Sequence, residues 1–160
     1  MMQAIVFLLD AVVSFFCTLF LLRFLMQAAR VSFSGQLGNF VVSLTNWAVK
    51  PLRRIVPGIG GLDWSSLFAA LVLQLLLAGL LIGAAGQPLT ADAATIALTI
   101  GWFALRGLLR LAIYIMIGAL ILQAVLSWIN PYSPLAGPAN QLTRPALDPI
   151  RRVIPLISGI

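Results

Sequence analysis

The chain has 160 residues, of which 61% are hydrophobic and 9% are charged, and its formal net charge is +6. Soluble domains carry about 25% charged residues, so this composition, with a mean hydropathy of +1.07, indicates an all-α, polytopic membrane protein. No long soluble segment exists to present a basic stripe, so we expect no nucleic-acid partner. With no histidine, no glutamate and one cysteine, the chain offers little for catalysis, and we expect no enzyme, cofactor or metal site.

The first predicted span covers residues 3–29, which is long enough to cross a ~30 Å hydrocarbon core. It contains Asp10 and Arg23, and the 12 uncharged residues between them span only about 18 Å, so at least one of these charges enters the hydrocarbon region. They lie roughly 220° apart around an ideal helix and cannot pair with each other. Arg23 can snorkel, whereas Asp10 is expected to pair with Arg106 or Arg110 of the third apolar segment.

Residues 31–63 form a loop that contains a predicted amphipathic helix in the membrane interface. Its apolar residues recur at helical spacing: Leu37, Phe40, Val41, Leu44 and Ala48. Pro51 disfavours helical geometry at Lys50, so we predict that the helix ends there and that Pro51 opens a new turn.

The phrase that starts at Pro51 occurs twice. Pro-Leu-Arg-Arg-Ile-Val-Pro at residues 51–57 is followed, 98 residues later, by Pro-Ile-Arg-Arg-Val-Ile-Pro at residues 149–155. Any loose basic cluster would satisfy the positive-inside rule, so the proline framing favours a shaped surface that binds anionic lipid and a partner protein. The predicted docking residues are Pro51, Arg53, Arg54, Pro57, Pro149, Arg151, Arg152 and Pro155.

The second predicted span, residues 64–86, contains no charged residue. The apolar run 93–129 is too long for one upright span and too short for two. We therefore predict an interfacial or re-entrant segment at about 94–105 and a span at about 109–129, with a single long tilted helix as the alternative. Gln74 and Gln123 lie mid-span, where we expect hydrogen bonds between helices.

Residues 130–160 form a second basic loop, and its match to the first loop makes the chain a duplication of residues 1–92 and 93–160. The second copy stops where the first copy enters a span, so either a fourth helix was removed or this version lacks it. The connection around residues 87–92 has no basic residue, so we expect an outward N-terminus and two cytoplasmic basic loops.

Several of these segments together resemble one family. They are Leu-Leu-Arg-Phe-Leu-Met-Gln at 21–27, the paired Pro-x-Arg-Arg-x-x-Pro phrases, Gly-Gly-Leu-Asp at 60–63, and Ser-Trp before Asn-Pro-Tyr-Ser-Pro at 127–134. The chain resembles the YggT family, called YlmG in some lineages. The resemblance implies a small polytopic protein of bacterial inner or chloroplast membranes. Relatives have been linked to osmotic or ionic stress, to cell division and nucleoid distribution, and to haem attachment in cytochrome b6 maturation.

The sequence departs from the family pattern after the second phrase, where the family has a further hydrophobic segment. It also offers no usual axial haem ligand beyond methionine or tyrosine. We expect a non-enzymatic accessory or assembly protein of the bacterial inner membrane that docks on a membrane protein complex or on a second copy of itself. The alternative is a subunit of an ion or osmolyte transport system in the osmotic stress response, with Asp10 and Arg106 or Arg110 lining a polar path.

Overall fold

A computed structural model describes residues 2–58, 60–84 and 92–153. These residues contain no β-strand and form five helices: α1 (Met2–Ala28), α2 (Gln36–Leu52), α3 (Trp64–Ala84), α4 (Ala93–Ile129) and α5 (Ala136–Val153). The predicted all-α fold is confirmed. Three of the helices, α1, α3 and α4, are long and apolar enough to cross a membrane, as expected of a multi-pass protein.

The core lies where α1, α2, α3 and α4 meet. Cys17 and Ala70 are in contact near the middle of the pair α1–α3, and the Cys17 thiol donates to the Ala70 carbonyl over 3.4 Å. Arg23, further along α1, contacts Asp63 just before α3, so the two helices run antiparallel. The buried residues of this cluster are Cys17, Phe20, Val49, Ala69, Ala70 and Leu108. One apolar cluster thus joins four helices.

Helix α2 presents different faces to the protein and to its surroundings. Its buried stripe is formed by Gly38, Val41, Thr45 and Val49. The predicted apolar stripe is only partly correct: Val41 is buried, but Phe40 lies on a neighbouring face and is 55% exposed. The buried stripe is therefore rotated relative to the predicted one. It includes a polar residue, Thr45, because Thr45 contacts the Arg23 side chain of α1.

The predicted end of α2 at Lys50 is wrong by one half-turn. The helix continues through Pro51 to Leu52, and the Arg53 amide still donates to the Val49 carbonyl over 2.9 Å. A proline removes one backbone donor, and at the last turn of a helix few later bonds depend on it. The Arg-Arg pair therefore begins directly after the helix.

Helix α4 is one continuous helix, Ala93–Ile129, so the predicted division into an interfacial or re-entrant segment at about 94–105 and a span at about 109–129 is wrong. The alternative of a single long helix describes it. The run contains no proline, and its three glycines each weaken a helix by only about 1 kcal/mol, so nothing in it breaks the hydrogen-bond ladder. Ala104 and Leu108 are buried, and α4 packs along α3.

Helix α5 occupies much of the predicted second basic loop. It runs from Ala136 to Val153 and includes Pro149, so the first five residues of the second phrase are helical, not a turn bounded by prolines. In the first phrase, by contrast, the helix ends at Leu52. The contacts of the Arg151 and Arg152 side chains, and Pro155 itself, lie outside what the structure describes.

Candidate functional site

A buried ion network links α1, the first Pro-x-Arg-Arg-x-x-Pro phrase and the start of α3. The carboxylate of Asp63 receives Arg23 Nε at 3.2 Å from one side. From the other side, Arg53 Nη2 donates to Asp63 Oδ2 over 2.6 Å and Arg53 Nε donates to Oδ1 over 3.3 Å. The side chains of Arg23 and Asp63 are 6% and 1% exposed, whereas that of Arg53 is 51% exposed. Asp63 is therefore the buried centre, and Arg53 carries the network to the surface.

Polar side chains complete the shell around these charges. Arg23 Nη1 donates to Thr45 Oγ1 over 2.6 Å and to Asn46 Oδ1 over 3.1 Å, both on α2. The Ser66 hydroxyl of α3 donates to Asp63 Oδ2 over 3.0 Å. Buried charges are tolerated when they are paired and hydrogen-bonded in this way. The network thus connects α1, α2 and α3 through one carboxylate.

The electrostatics keep Asp63 ionised. Burial raises the pKa of the Asp63 carboxyl, but hydrogen bonding and charge attraction from Arg53, together with the Ser66 hydroxyl and the Arg23 charge, outweigh burial and hold that pKa below its ordinary value. The same hydrogen bond raises the pKa of Arg53. Asp63 also precedes the first turn of α3, where its carbonyl accepts the Ser66 amide at 2.9 Å and the helix dipole favours a negative charge.

The network fixes the turn between α2 and α3. Gly60 and Gly61 adopt φ angles of 67° and 77°, which L side chains rarely adopt, and this reverses the chain toward Asp63. The Ser65 hydroxyl donates to the Val56 carbonyl over 2.8 Å, which ties the end of the phrase to α3. These contacts therefore fix the conformation of the first phrase. Arg54 lies on its exposed side.

The second pair of helices has a neutral version of the α1–α2 contact. The Thr143 hydroxyl of α5 donates to Gln123 Oε1 of α4 over 2.6 Å, and Gln123 Nε2 donates to Asn140 Oδ1 over 3.4 Å. Thr45 and Thr143, which are 98 residues apart, are both fully buried. The Thr45 hydroxyl donates to the Val41 carbonyl, whereas the Thr143 hydroxyl shares its one proton between Gln123 and the Ala139 carbonyl, 3.0 Å away. The predicted interhelical hydrogen bond of Gln123 thus forms.

The other polar residues predicted within the spanning segments do not join the ion network of Asp63. The expected pairing of Asp10 with Arg106 or Arg110 does not form in the described part of the chain, where the ion pairs are those of Asp63. Asp10 shares a face of α1 with Cys17, toward α3, whereas both arginines are exposed on α4, and Arg110 lies 5.5 Å from the ring centre of Tyr114. Gln74 packs its amide against Gly107 of α4, where a Cβ would collide with it.

Sequence reasoning missed Asp63, the central residue of the site, and expected Arg23 to snorkel alone. A signal was present, since Asp63 is an acid placed between the basic phrase and an uncharged span, in the Gly-Gly-Leu-Asp segment. What the sequence lacked was the antiparallel register of α1 and α3, because only that register places Arg23 opposite Asp63.

Fold and site together define a multi-pass helical membrane protein in which a buried ion network anchors a basic turn. A family model described as CCB3/YggT matches residues 2–84 and 102–160, and the chain belongs to this family. It is 33% identical to an uncharacterized protein of Pseudomonas aeruginosa over 98% of this chain and 79% of that protein. It is also 33% identical to the uncharacterized protein YggT of Escherichia coli K12, over 99% of this chain and 80% of that protein.

A third relative, an uncharacterized protein of Vibrio alginolyticus, is 32% identical over 99% of this chain and 84% of its own length. The resemblance read from the sequence is confirmed. No solved structure matches the chain.

Proposed function

We propose that this protein is a non-enzymatic accessory or assembly factor of the bacterial inner membrane, which docks on anionic lipid and on a membrane protein complex through its two Pro-x-Arg-Arg-x-x-Pro segments. The observation that carries the proposal is the ion network of Arg23, Asp63 and Arg53. It holds the first segment in one shape, and a positive-inside signal needs no such shape.

Arg53 and Arg54 differ in their contacts, and this difference supports docking. Arg53 uses one edge of its guanidinium for Asp63, and about half of its side chain remains exposed. Arg54 is exposed, as is Ile55, whose side chain is 78% accessible. A basic and apolar surface on a rigid support loses little conformational entropy when it binds, which favours a specific partner.

The placement of the basic residues supports a cytoplasmic face. Helices α1 and α3 are antiparallel, so the end of α1, the start of α3 and the first phrase lie at one end of the bundle. Arg30, Lys50, Arg53 and Arg54 lie in this region, and cytoplasmic loops are rich in such residues.

We also infer that the chain is a duplication. In addition to the repeated phrase, Thr45 and Thr143 occupy equivalent positions in α2 and α5 and form the same pair of contacts, one to a spanning helix and one to the carbonyl four residues earlier. The two basic segments then lie on the same side of the membrane.

The test replaces one arginine in each phrase and leaves the network intact. Arg54→Gln with Arg152→Gln removes two charges without touching Arg53, which holds Asp63. The matched control, Arg30→Gln with Arg144→Gln, removes two exposed charges outside the phrases. Both proteins are purified in mild detergent, and co-purified membrane proteins and bound anionic lipid are quantified by mass spectrometry.

We expect the phrase variant to lose about tenfold in bound partner, equivalent to ~1.4 kcal/mol, while the control retains it. Equal loss in both variants would show that total charge, not the phrase, determines binding. Unchanged partners in both variants would refute docking through these segments.

The alternative, a transport subunit, depended on a polar path from Asp10 to Arg106 or Arg110. Asp10 lies on the α3-facing side of α1, and the two arginines are exposed on α4, so no observation favours that path over the docking role.

A further inference from the structure

Two arginines lie on the outer side of α4. Ala104 and Leu108 are buried on the side of α4 that packs against the other helices. At about 100° per residue, Arg106 is roughly 200° and Arg110 roughly 240° around the helix from Ala104. Both arginines therefore face away from the protein, in agreement with their exposure.

Contacts with α3 give the depth of these arginines. Gly107, next to Arg106, packs against the side chain of Gln74. Gln74 is the central residue of α3, Trp64–Ala84, and lies about 15 Å from each end of that helix at 1.5 Å per residue. The position of Leu108 supports this depth, because Leu108 packs in one cluster with Cys17 of α1 and Ala70 of α3. When α3 spans a ~30 Å core, Arg106 and Arg110 lie near its centre.

The carboxylates of this chain do not face them. Asp63 is bound by Arg23 and Arg53. Asp92 accepts the Thr95 hydroxyl at the start of α4, and Asp148 is exposed on α5. Asp10 lies on the side of α1 that faces α3. The arginines are thus two cations without a carboxylate from their own chain, among the residues that the structure describes.

Their surroundings are otherwise lipid-like. Three large exposed residues on the same side of α4 are apolar: Trp102 is 66% exposed, Leu109 is 58% exposed and Ile113 is 55% exposed. Tyr114, which is 56% exposed, lies beside them with its ring centre 5.5 Å from the Arg110 guanidinium, and it carries no counter-charge. Arginines near a helix end reach headgroups by snorkelling, but these two are too far from both ends of α3 for that. Charged residues at such depth usually pair with other charges inside the membrane.

We infer that this face of α4 docks a membrane-spanning helix of another protein, and that this helix carries a carboxylate at mid-depth. The two guanidiniums bind the carboxylate in a low-dielectric setting, and the flanking apolar residues pack against the rest of the partner helix. This surface is separate from the Pro-x-Arg-Arg-x-x-Pro segments, so the inference does not rest on the docking role proposed above.

The test uses a synthetic leucine-rich spanning peptide with one central glutamate, and the same peptide with glutamine in its place. The full-length protein is labelled and reconstituted with each peptide in phosphatidylcholine vesicles at about pH 8, so that the paired glutamate is ionised. Energy transfer measures binding. The variants are Arg106→Gln with Arg110→Gln, Arg106→Lys with Arg110→Lys, and the control Arg30→Gln with Arg144→Gln.

We expect the glutamate peptide to bind the unmodified protein about tenfold more tightly than the glutamine peptide. The glutamine variant should lose this preference, while the lysine variant and the control keep it. Thermal unfolding of the glutamine variant, compared with that of the unmodified protein, shows that it is folded.

Equal binding of the two peptides to the unmodified protein would overturn the inference. So would loss of the preference when phosphatidylglycerol is added, since the occupant would then be a lipid headgroup. Self-association of the protein that depends on Arg106 and Arg110 would also overturn it, because the occupant would then be a second copy.

Discussion

The two junctions between a spanning helix and its amphipathic helix use the same threonine with different chemistry. In the first junction, Thr45 of α2 accepts a charged donor, Arg23 of α1, over 2.6 Å. In the second, Thr143 of α5 donates to a neutral acceptor, Gln123 of α4, also over 2.6 Å. Both threonine hydroxyls lie within hydrogen-bond distance of the carbonyl four residues earlier, so the local backbone arrangement is shared, although Thr143 divides its one proton between that carbonyl and Gln123.

The charged junction needs a third element, which the neutral junction does not need. A buried guanidinium requires a counter-charge, which Asp63 provides at the start of α3, and Asp63 in turn positions Arg53 in the basic phrase. The neutral junction requires none, because its polar groups carry no charge and Gln123 bonds both Thr143 and Asn140 of α5. The first unit is therefore held together through three helices, and the second through two.

The strongest test of this comparison is Asp63→Asn. It leaves Arg23 buried without a counter-charge and releases Arg53, and breaking a buried pair in this way destabilises a protein by about 3–5 kcal/mol. The free energy of unfolding is measured by SDS titration in detergent micelles. The control, Asp148→Asn, removes an exposed carboxylate from α5 and should change stability by less than about 0.5 kcal/mol. Similar losses in both variants would contradict a special role for the charged junction.

Acid should weaken the first junction and spare the second. The pKa of Asp63 is lowered in the folded protein, so the unfolded chain takes up the proton first, near its ordinary pKa of about 3.9. The stabilising pairing is fully present above about pH 4 to 5 and is lost as the pH falls through the lower folded pKa. Unfolding followed from about pH 7 to pH 3 should show a decline that Asp63→Asn lacks. A decline of equal size in that variant would assign it to other groups.

The smallest expected effects come from the two threonines, and they rank the junctions directly. Thr45→Val removes a partner of a charged donor and should destabilise by about 1.5–3 kcal/mol, whereas Thr143→Val removes a neutral bond and should destabilise by about 0.5–1.5 kcal/mol. Valine keeps the shape of threonine, so the difference between the variants reports the hydrogen bonds. Equal effects on the free energy of unfolding would mean that charge adds nothing to the first junction.

Local patterns predicted some elements well and misplaced others for identifiable reasons. The spans at 3–29 and 64–86 correspond to α1 and α3, because long apolar runs without breakers leave few alternatives. Proline rules misplaced the end of α2 and predicted a loop where the start of the second phrase is helical. Both helices continue through a proline near their ends. The proposed division of residues 93–129 rested on the expected bilayer thickness, whereas α4 is uninterrupted.

The site was predicted in part. Arg23 and Arg53 were both named, but their shared partner was not, and Asp10 was paired with arginines on the wrong side of α4. Charges in an apolar sequence mark where pairing is needed, but which charges meet depends on helix register and rotation. A one-residue difference rotates a side chain by about 100°.

Local sequence patterns are enough to identify a multi-pass helical membrane protein of the YggT family with a repeated basic phrase, because hydropathy, helical period and proline spacing are local properties. Tertiary packing is needed to show that Asp63 joins Arg23 to Arg53, that α2 turns Thr45 inward, and that Arg106 and Arg110 face outward. Those outcomes depend on which helix faces pack together, and packing is set by the burial of the whole core rather than by any one segment.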